Sequence, residues 1–125
     1  MNEKDIFVEN LKKRTRKFGV DIILFCDSLK PKKASSVVTY QLVKAATSIG
    51  ANYRAACRSR SQTEFFSKIC IVVEEADESV YWLKVIEEAD LSGNRPELES
   101  LLIEGTEILK IITKTKDSTY KNLNS

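Results

Sequence analysis

The chain has 125 residues, of which 42% are hydrophobic and 30% are charged, with only four glycines and two prolines. A chain of this length usually forms one domain, and this composition is typical of a folded, helix-rich protein and excludes a disordered or loop-rich one. The formal net charge of +2 conceals an asymmetry, because residues 1–60 carry 13 Lys and Arg against 5 Asp and Glu, whereas residues 61–125 carry 7 against 13. Either the two halves face and neutralise each other, or the basic half forms a surface for a partner.

The sequence contains no histidine. This absence removes the usual general base near neutral pH, the Ser-His and Cys-His nucleophile pairs, and the Glu-x-x-His ligands of di-iron bundles. We therefore predict a protein that is not an enzyme and that holds no metal or cofactor. The opening MNEKDIFVEN lacks the apolar core of a secretory signal, and no uncharged run approaches the ~20 residues that span a bilayer, which predicts a cytoplasmic protein without membrane contact.

The first two predicted elements are helices over residues 5–29 and 35–59. In the first, apolar residues recur at helical spacing from Phe7 to Leu29, and Pro31 then breaks the pattern. The second has Ser35 or Ser36 as a candidate N-cap. Its apolar seam alternates spacings of four and three and consists of Val38, Leu42, Ala45, Ile49, Asn52 and Ala56.

The other two predicted elements are helices over residues 62–91 and 95–116. Ser61 and Glu64 have the spacing of a capping box. Asn94 and Pro96 supply an N-cap and a first-turn proline for the last helix, after which a polar tail is predicted to fray. Four helices joined by short loops predict an all-α fold, a single antiparallel up-and-down four-helix bundle over residues 1–125.

Small side chains occupy nearly every face of the second predicted helix, and Gly50 and Ala51 lie in its middle. A glycine inside a helix costs about 0.5–1 kcal/mol relative to alanine, so close packing is expected to offset it. The close neighbour is either another helix of the same chain or helices on two sides, one of them in another subunit. Asn52 falls on the apolar seam, where a buried amide commonly fixes register or oligomeric state.

Basic residues end the second helix, where the helix dipole stabilises a cation by about 0.3–1 kcal/mol. Glu64 is near enough to pair with Arg58. Arg54 cannot reach Glu75 along its own hairpin, so it needs a partner on the first or fourth helix, in another subunit, or in a bound anion such as phosphate. Such runs are often only solvated faces, but we predict nucleic-acid contacts from Arg54, Arg58, Arg60, Lys12, Lys13 and Arg16.

The third helix carries Glu75 and Glu78 on one face, but no nucleophile or second matching pair accompanies them, so they do not indicate acid–base or metal chemistry. Trp82 is predicted to anchor helix contacts at the boundary of the core. The three cysteines are odd in number and widely spaced, and they are predicted to be small core residues: Cys26, Cys57 and Cys70.

The stretches TSIGANYRAACRSRSQTEFFSKI and EEADESVYWLKVI, together with LKKRTRKF and QLVKAATSIGANYRAA, resemble the bacterial four helix bundle proteins, also called 23S rRNA-intervening sequence proteins. That family is similar to the accessory protein of diversity-generating retroelements, a pentameric barrel of four-helix bundles that binds a reverse transcriptase and nucleic acid. The resemblance implies a homopentamer with a basic face or central channel. The matching residues are implied to serve close packing, subunit contacts or polyanion binding, and they are Ser48, Gly50, Ala51, Asn52, Arg54, Arg58, Glu75, Glu78 and Trp82.

Three hypotheses follow from these observations. The leading one is a homo-oligomer, a pentamer, that binds RNA or a ribonucleoprotein through its basic residues. The alternative is a protein–protein adaptor whose arginines only bridge subunits. The third is a bundle that binds a small ligand or a metal.

Overall fold

A computed structural model describes all residues from Met1 to Ser125 as four α-helices without a strand. The helices are α1 (Glu3–Cys26), α2 (Lys33–Ala56), α3 (Gln62–Glu88) and α4 (Arg95–Leu123). Each helix packs against the next, α1 also contacts α4, and the backbones of the diagonal pairs, α1 with α3 and α2 with α4, do not come close to each other. The predicted all-α four-helix bundle is therefore confirmed.

The core of the bundle is a single cluster of 20 buried apolar residues drawn from all four helices. The seam predicted for α2 is buried at every position except Asn52. Thr15 and Ser79 are fully buried among these apolar residues, and each hydroxyl donates to a backbone carbonyl one turn earlier in its own helix. The hydrogen bonds satisfy the two polar groups without a partner from another helix.

Helix starts follow the predicted signals in α3 and α4 but not in α2. The side chain of Ser61 accepts from the backbone N–H of Glu64, and that of Asn94 accepts from the N–H of Glu97. In contrast, α2 begins after Lys32, and the hydroxyl of Ser35 donates to the carbonyl of Lys30. The prediction of Ser35 or Ser36 as the N-cap of α2 was therefore wrong.

The end of α4 corrects the predicted helix limit of residue 116. The helix continues to Leu123 because Thr119 is buried and the ring of Tyr120 packs at a tilt against that of Phe66 with centroids 5.7 Å apart. These contacts hold down a polar segment that has few apolar residues of its own.

The turn between α3 and α4 contains a Schellman motif, a common way to end a helix. Asp90 has φ of 53°, the left-handed conformation, and the N–H of Leu91 donates to the carbonyl of Ile86. Leu91 is buried and its carbonyl accepts from the N–H of Lys30, which joins this turn to the α1–α2 loop. The turn therefore closes one end of the bundle.

Candidate nucleic-acid interface

The α1–α2 pair is packed so closely that its two backbones nearly touch. A Cβ atom added to Gly50 would lie 3.2 Å from the backbone nitrogen of Arg16 and 3.3 Å from the carbonyl carbon of Thr15. On the facing helix, a Cβ atom on Gly19 would lie 3.3 Å from the Cα atom of Thr47. The close neighbour of Gly50 within the bundle is therefore α1 of the same chain.

Close approach of the two backbones leaves a shallow groove of about 570 Å³ along the outside of the α1–α2 pair. Gly19, Gly50 and Ala51 line it without bulky side chains. Four of the six residues predicted to contact nucleic acid also line this groove, namely Lys12, Lys13, Arg16 and Arg54. The fold thus brings Arg54 of α2 to the same surface as three cations of α1 that lie 38 or more positions earlier in the sequence.

Three of these four groove cations have no carboxylate partner in the chain. Lys12 forms an ion pair of 3.1 Å with Glu9, which also lines the groove. Lys13, Arg16 and Arg54 are exposed and lie in none of the five ion pairs of the molecule. Their positive charge is therefore available to an anion.

Arg14, two residues before Arg16 on α1, behaves differently. Its Nε and Nη2 atoms each donate to an oxygen of Glu104 at 2.7 Å, and Nη2 also lies 2.8 Å from Glu107. The hydrogen bonds from Arg14 hold the pKa of Glu104 below its usual value. This guanidinium group ties α1 to α4 and is not free for a ligand.

Charge neutralisation between the two halves of the chain is limited. Arg14 and Lys30 are the only basic residues of the first 60 that pair with carboxylates of the second half, Lys30 with Asp90 at 3.0 Å. Lys12 and Lys17 pair with acids of their own helix. The basic half therefore keeps most of its charge unpaired within the monomer.

The remaining two arginines of the predicted set lie outside the groove. Arg58 is exposed and has no ion-pair partner, although the sequence placed Glu64 within its reach. The carboxylate of Glu64 accepts instead from the backbone N–H of Arg60 at 3.2 Å. The side chain of Arg60 lines a different cavity, so the structure does not unite all six residues in one site.

That second cavity is a cleft of about 1040 Å³ at the end of the bundle where the chain starts. Its walls combine the apolar residues Phe7, Tyr53 and Phe65 with Cys57 and the basic residues Lys114 and Arg60. Burial raises the pKa of the Tyr53 hydroxyl and of the Cys57 thiol. Both groups therefore stay protonated at neutral pH.

The residues predicted to serve packing or oligomer contacts do not form one cluster, because Gly50 and Ala51 line the α1–α2 groove, whereas Glu78 is exposed on α3. The Nδ2 atom of Asn52 donates to the carbonyl of Ser48 at 2.9 Å, and the residue is only half-buried. The prediction that Asn52 lies in the core seam was therefore wrong for the bundle itself. Asn52 lies at the flank of the seam, and the next residue, Tyr53, is buried in the core. Burial, followed by the charge of Glu78, raises the pKa of Glu75, which lies beside Ser48.

Trp82 packs against the core from a half-buried position on α3. Its ring meets that of Tyr81 edge to face, with centroids 5.1 Å apart. The indole Nε1 atom is buried and has no hydrogen-bond acceptor. The three cysteines are free and half-buried, and Cys26 and Cys57 pack against the core.

Sequence reasoning missed two features of this surface. Arg14 belongs to the basic stretch LKKRTRKF, and its pairing with α4 was not predicted. Two exposed apolar side chains, those of Val20 and Ile23, line the basic groove, and a third exposed apolar residue, Tyr40, lies farther along α2; none of them had an assigned role. A spacing of seven places Tyr40, Thr47 and Arg54 on one stripe of α2, and this signal was available in the sequence.

Neither a membrane helix nor a metal cluster is found. None of the four helices combines the length and apolar character of a bilayer-spanning segment. No three Cys, Asp or Glu side chains are grouped so that they could hold a metal ion.

The fold and the groove define a four-helix bundle with a cationic surface on its first helical pair. The chain belongs to the family of 23S rRNA-intervening sequence proteins, whose family model matches residues 10–114. No curated protein sequence matches it. A crystal structure from Bacteroides thetaiotaomicron, of a protein with unknown function from the S23 ribosomal protein family, superimposes with a TM-score of 0.79 at 29% identity. The alignment covers 88% of this chain and 97% of that one.

Proposed function

We propose that this protein is a non-enzymatic, homo-oligomeric helical bundle that binds RNA or a ribonucleoprotein through the groove between α1 and α2. The observation that carries the proposal is the gathering of Lys12, Lys13, Arg16 and Arg54 in one groove, three of them without a carboxylate partner. Unpaired cations that share a surface attract a polyanion, whose phosphates are the commonest protein contacts in nucleic-acid complexes.

The shape of the groove supports the same function. Gly19 and Gly50 bring the α1 and α2 backbones together, so the long basic side chains rise on both sides of a low floor. A phosphate backbone that enters between them can meet cations from both helices.

Self-association is the second part of the proposal. The resemblance to the retroelement accessory protein implies a pentamer, and large apolar side chains are exposed outside the groove as well, among them Leu24, Ile71 and Tyr81. Contact between copies would remove this area from water, and burial of apolar area drives association. Three free cysteines suit the reducing cytoplasm that we propose as its location.

A filter-binding titration of RNA over a salt series tests the binding function. Each lost phosphate contact makes the slope of log K against log salt shallower by about 0.7–0.9. We expect the Arg16→Ala/Arg54→Ala variant to lose affinity and to flatten the slope by about 1.5. Arg95→Ala is the matched control, because Arg95 is exposed at the opposite end of the bundle and lies in no ion pair.

Two results would reject the binding function. One is the absence of binding at low salt, and the other is equal affinity of the double variant and the wild type. If the double variant instead changed only the mass measured by light scattering, the arginines would serve subunit contacts, as in an adaptor. A monomer at micromolar concentration would reject the oligomer.

A further inference from the structure

We infer that the α1–α2 groove takes single-stranded RNA and discriminates against duplex, an inference that rests on the proposed function. The groove has two chemically different ends. Its cationic end holds Lys12, Lys13, Arg16 and Arg54, and its other end holds Val20 and Ile23. The side chains of Val20 and Ile23 are 50% and 45% exposed, so this end offers apolar surface to a ligand.

Tyr40 extends the apolar end along α2. It lies seven residues before Thr47, which lines the groove, and Thr47 lies seven residues before Arg54. Residues at this spacing share one face of a helix. Seven residues rise roughly 10 Å, so Tyr40 lies about two turns beyond Thr47. Its ring is 63% exposed and is therefore free to stack.

The floor between the two ends is low and continuous. Gly19, Gly50 and Ala51 line the middle of the groove, and no bulky side chain separates the cations from the apolar end. One extended ligand can therefore contact Arg16 and Ile23 together. These residues are seven positions apart on α1, a rise of roughly 10 Å.

A ligand that fits both ends must carry negative charge and accessible apolar faces close together. A single strand does so, since unstacked bases can pack on aromatic or apolar side chains while their phosphates meet cations. A duplex hides the faces of its bases in the stack and offers phosphates and sugars on its outside. The cationic end suits either form, whereas the apolar end suits only the single strand.

Fluorescence anisotropy with a labelled, unstructured RNA of about 16 nucleotides, free or annealed to its complement, tests this inference. We expect the single strand to bind about tenfold more tightly than the duplex. Tyr40→Ala and the Val20→Thr/Ile23→Thr variant are each expected to weaken single-strand binding about fivefold or more. Duplex affinity and the salt slope should not change, because no phosphate contact is lost.

Ile103→Thr is the matched control, because Ile103 is an apolar residue on α4 that is even more exposed, at 69%, and its replacement should leave both affinities unchanged. Circular dichroism confirms that each variant is folded. Equal affinity for both RNAs, with dependence on Arg16 and Arg54, would overturn the single-strand inference and leave the proposed function standing. Binding of neither RNA at low salt would overturn both. Apolar-end variants that keep full RNA affinity but change the mass in light scattering would assign this end to a second copy and overturn the inference.

Discussion

The two sides of α1 pack in opposite ways. On the α2 side, glycines let the backbones approach until a single added carbon would lie 3.2–3.3 Å from backbone atoms of the neighbouring helix. On the α4 side, the space is filled by long side chains, with Arg14 bound to Glu104 and the ring of Phe18 against Gly105. The comparison explains why Arg14 is paired and Arg16 is free. A wide contact draws charged side chains across it, whereas a close contact forces them outward.

The largest expected effect comes from placing a bulky side chain in the close contact. Gly50→Leu should lower the free energy of unfolding by about 2–3 kcal/mol, because the atoms facing Gly50 belong to the α1 backbone and cannot rotate away. Urea denaturation followed by circular dichroism measures the loss. Stability equal to that of the wild type would show that α1 and α2 are not held as closely as described.

A pair of alanine substitutions compares the two contacts directly. Both Gly50 and Gly105 are helical, so each alanine gains about the same 1 kcal/mol of helix propensity. At Gly105 the added carbon meets the ends of side chains, Phe18 at 3.2 Å and Val80 at 3.4 Å, which can shift. We expect Gly50→Ala to be less stable than Gly105→Ala by about 1 kcal/mol. Equal free energies of unfolding for the two variants would contradict the difference between a backbone contact at Gly50 and a side-chain contact at Gly105.

The ion pair on the α4 side should contribute less than the packing on the α2 side. Arg14 and Glu104 keep side-chain exposures of 32% and 34%, so solvent screens the pair, and Arg14→Met should cost about 1 kcal/mol near neutral pH. Lys17→Met, which breaks the more exposed pair with Asp21, is the control and should cost less.

The contribution of Arg14 should also depend on pH. Arg14 lowers the pKa of Glu104 from its ordinary value of 4.5, so the stabilisation is complete above that pH and is lost as the pH falls through the lower value in the folded protein. The stability difference between wild type and Arg14→Met should therefore shrink in acid. A constant difference down to pH 3 would contradict the assignment.

The smallest expected effect lies on the α2–α3 side. Burial and the charge of Glu78 raise the pKa of Glu75, so its ionised form is slightly unfavourable in the folded protein. Glu75→Gln should stabilise the protein at neutral pH by on the order of a few tenths of a kcal/mol. The gain should shrink as the pH falls toward 4.5 and should be small below it, where Glu75 is mostly protonated in both the folded and the unfolded state. Thermal unfolding of both proteins at pH 7 and pH 4 measures this gain. A Glu75→Gln variant less stable than the wild type at pH 7 would contradict the prediction.

The fold could be predicted from the sequence because helical periodicity marks the buried face of each element. The end of α4 could not, since Thr119 and Tyr120 are held by contacts with other parts of the bundle that local polarity does not reveal. Asn52 shows a related limit. Its heptad position matched the seam. Because an α-helix has 3.6 residues per turn and not 3.5, positions of a heptad drift around the helix, and Asn52 lies at the flank of the buried face.

The candidate site was only partly predictable for a similar reason. The sequence shows that α1 and the end of α2 are basic, but the distance between helices decides which basic side chain forms an ion pair within the chain. Arg14 and Arg16 look alike in the stretch LKKRTRKF, and only the positions of Glu104 and Gly50 separate their roles. The groove forms because Gly19 faces α2 and Gly50 faces α1. The sequence does not show how the two helices are aligned along their length, so it does not reveal that these glycines lie at the contact.

The close α1–α2 contact leaves Arg16 unpaired and open to RNA, whereas the α4 contact engages Arg14 in ion pairs. The most direct test compares the salt dependence of RNA binding for Arg16→Met and Arg14→Met, two neighbouring substitutions of the same kind. We expect that Arg16→Met weakens binding and flattens the slope of log K against log salt by about 0.7–0.9, and that folded Arg14→Met keeps the wild-type slope. Equal slopes for the two variants, or a loss confined to Arg14→Met, would contradict it.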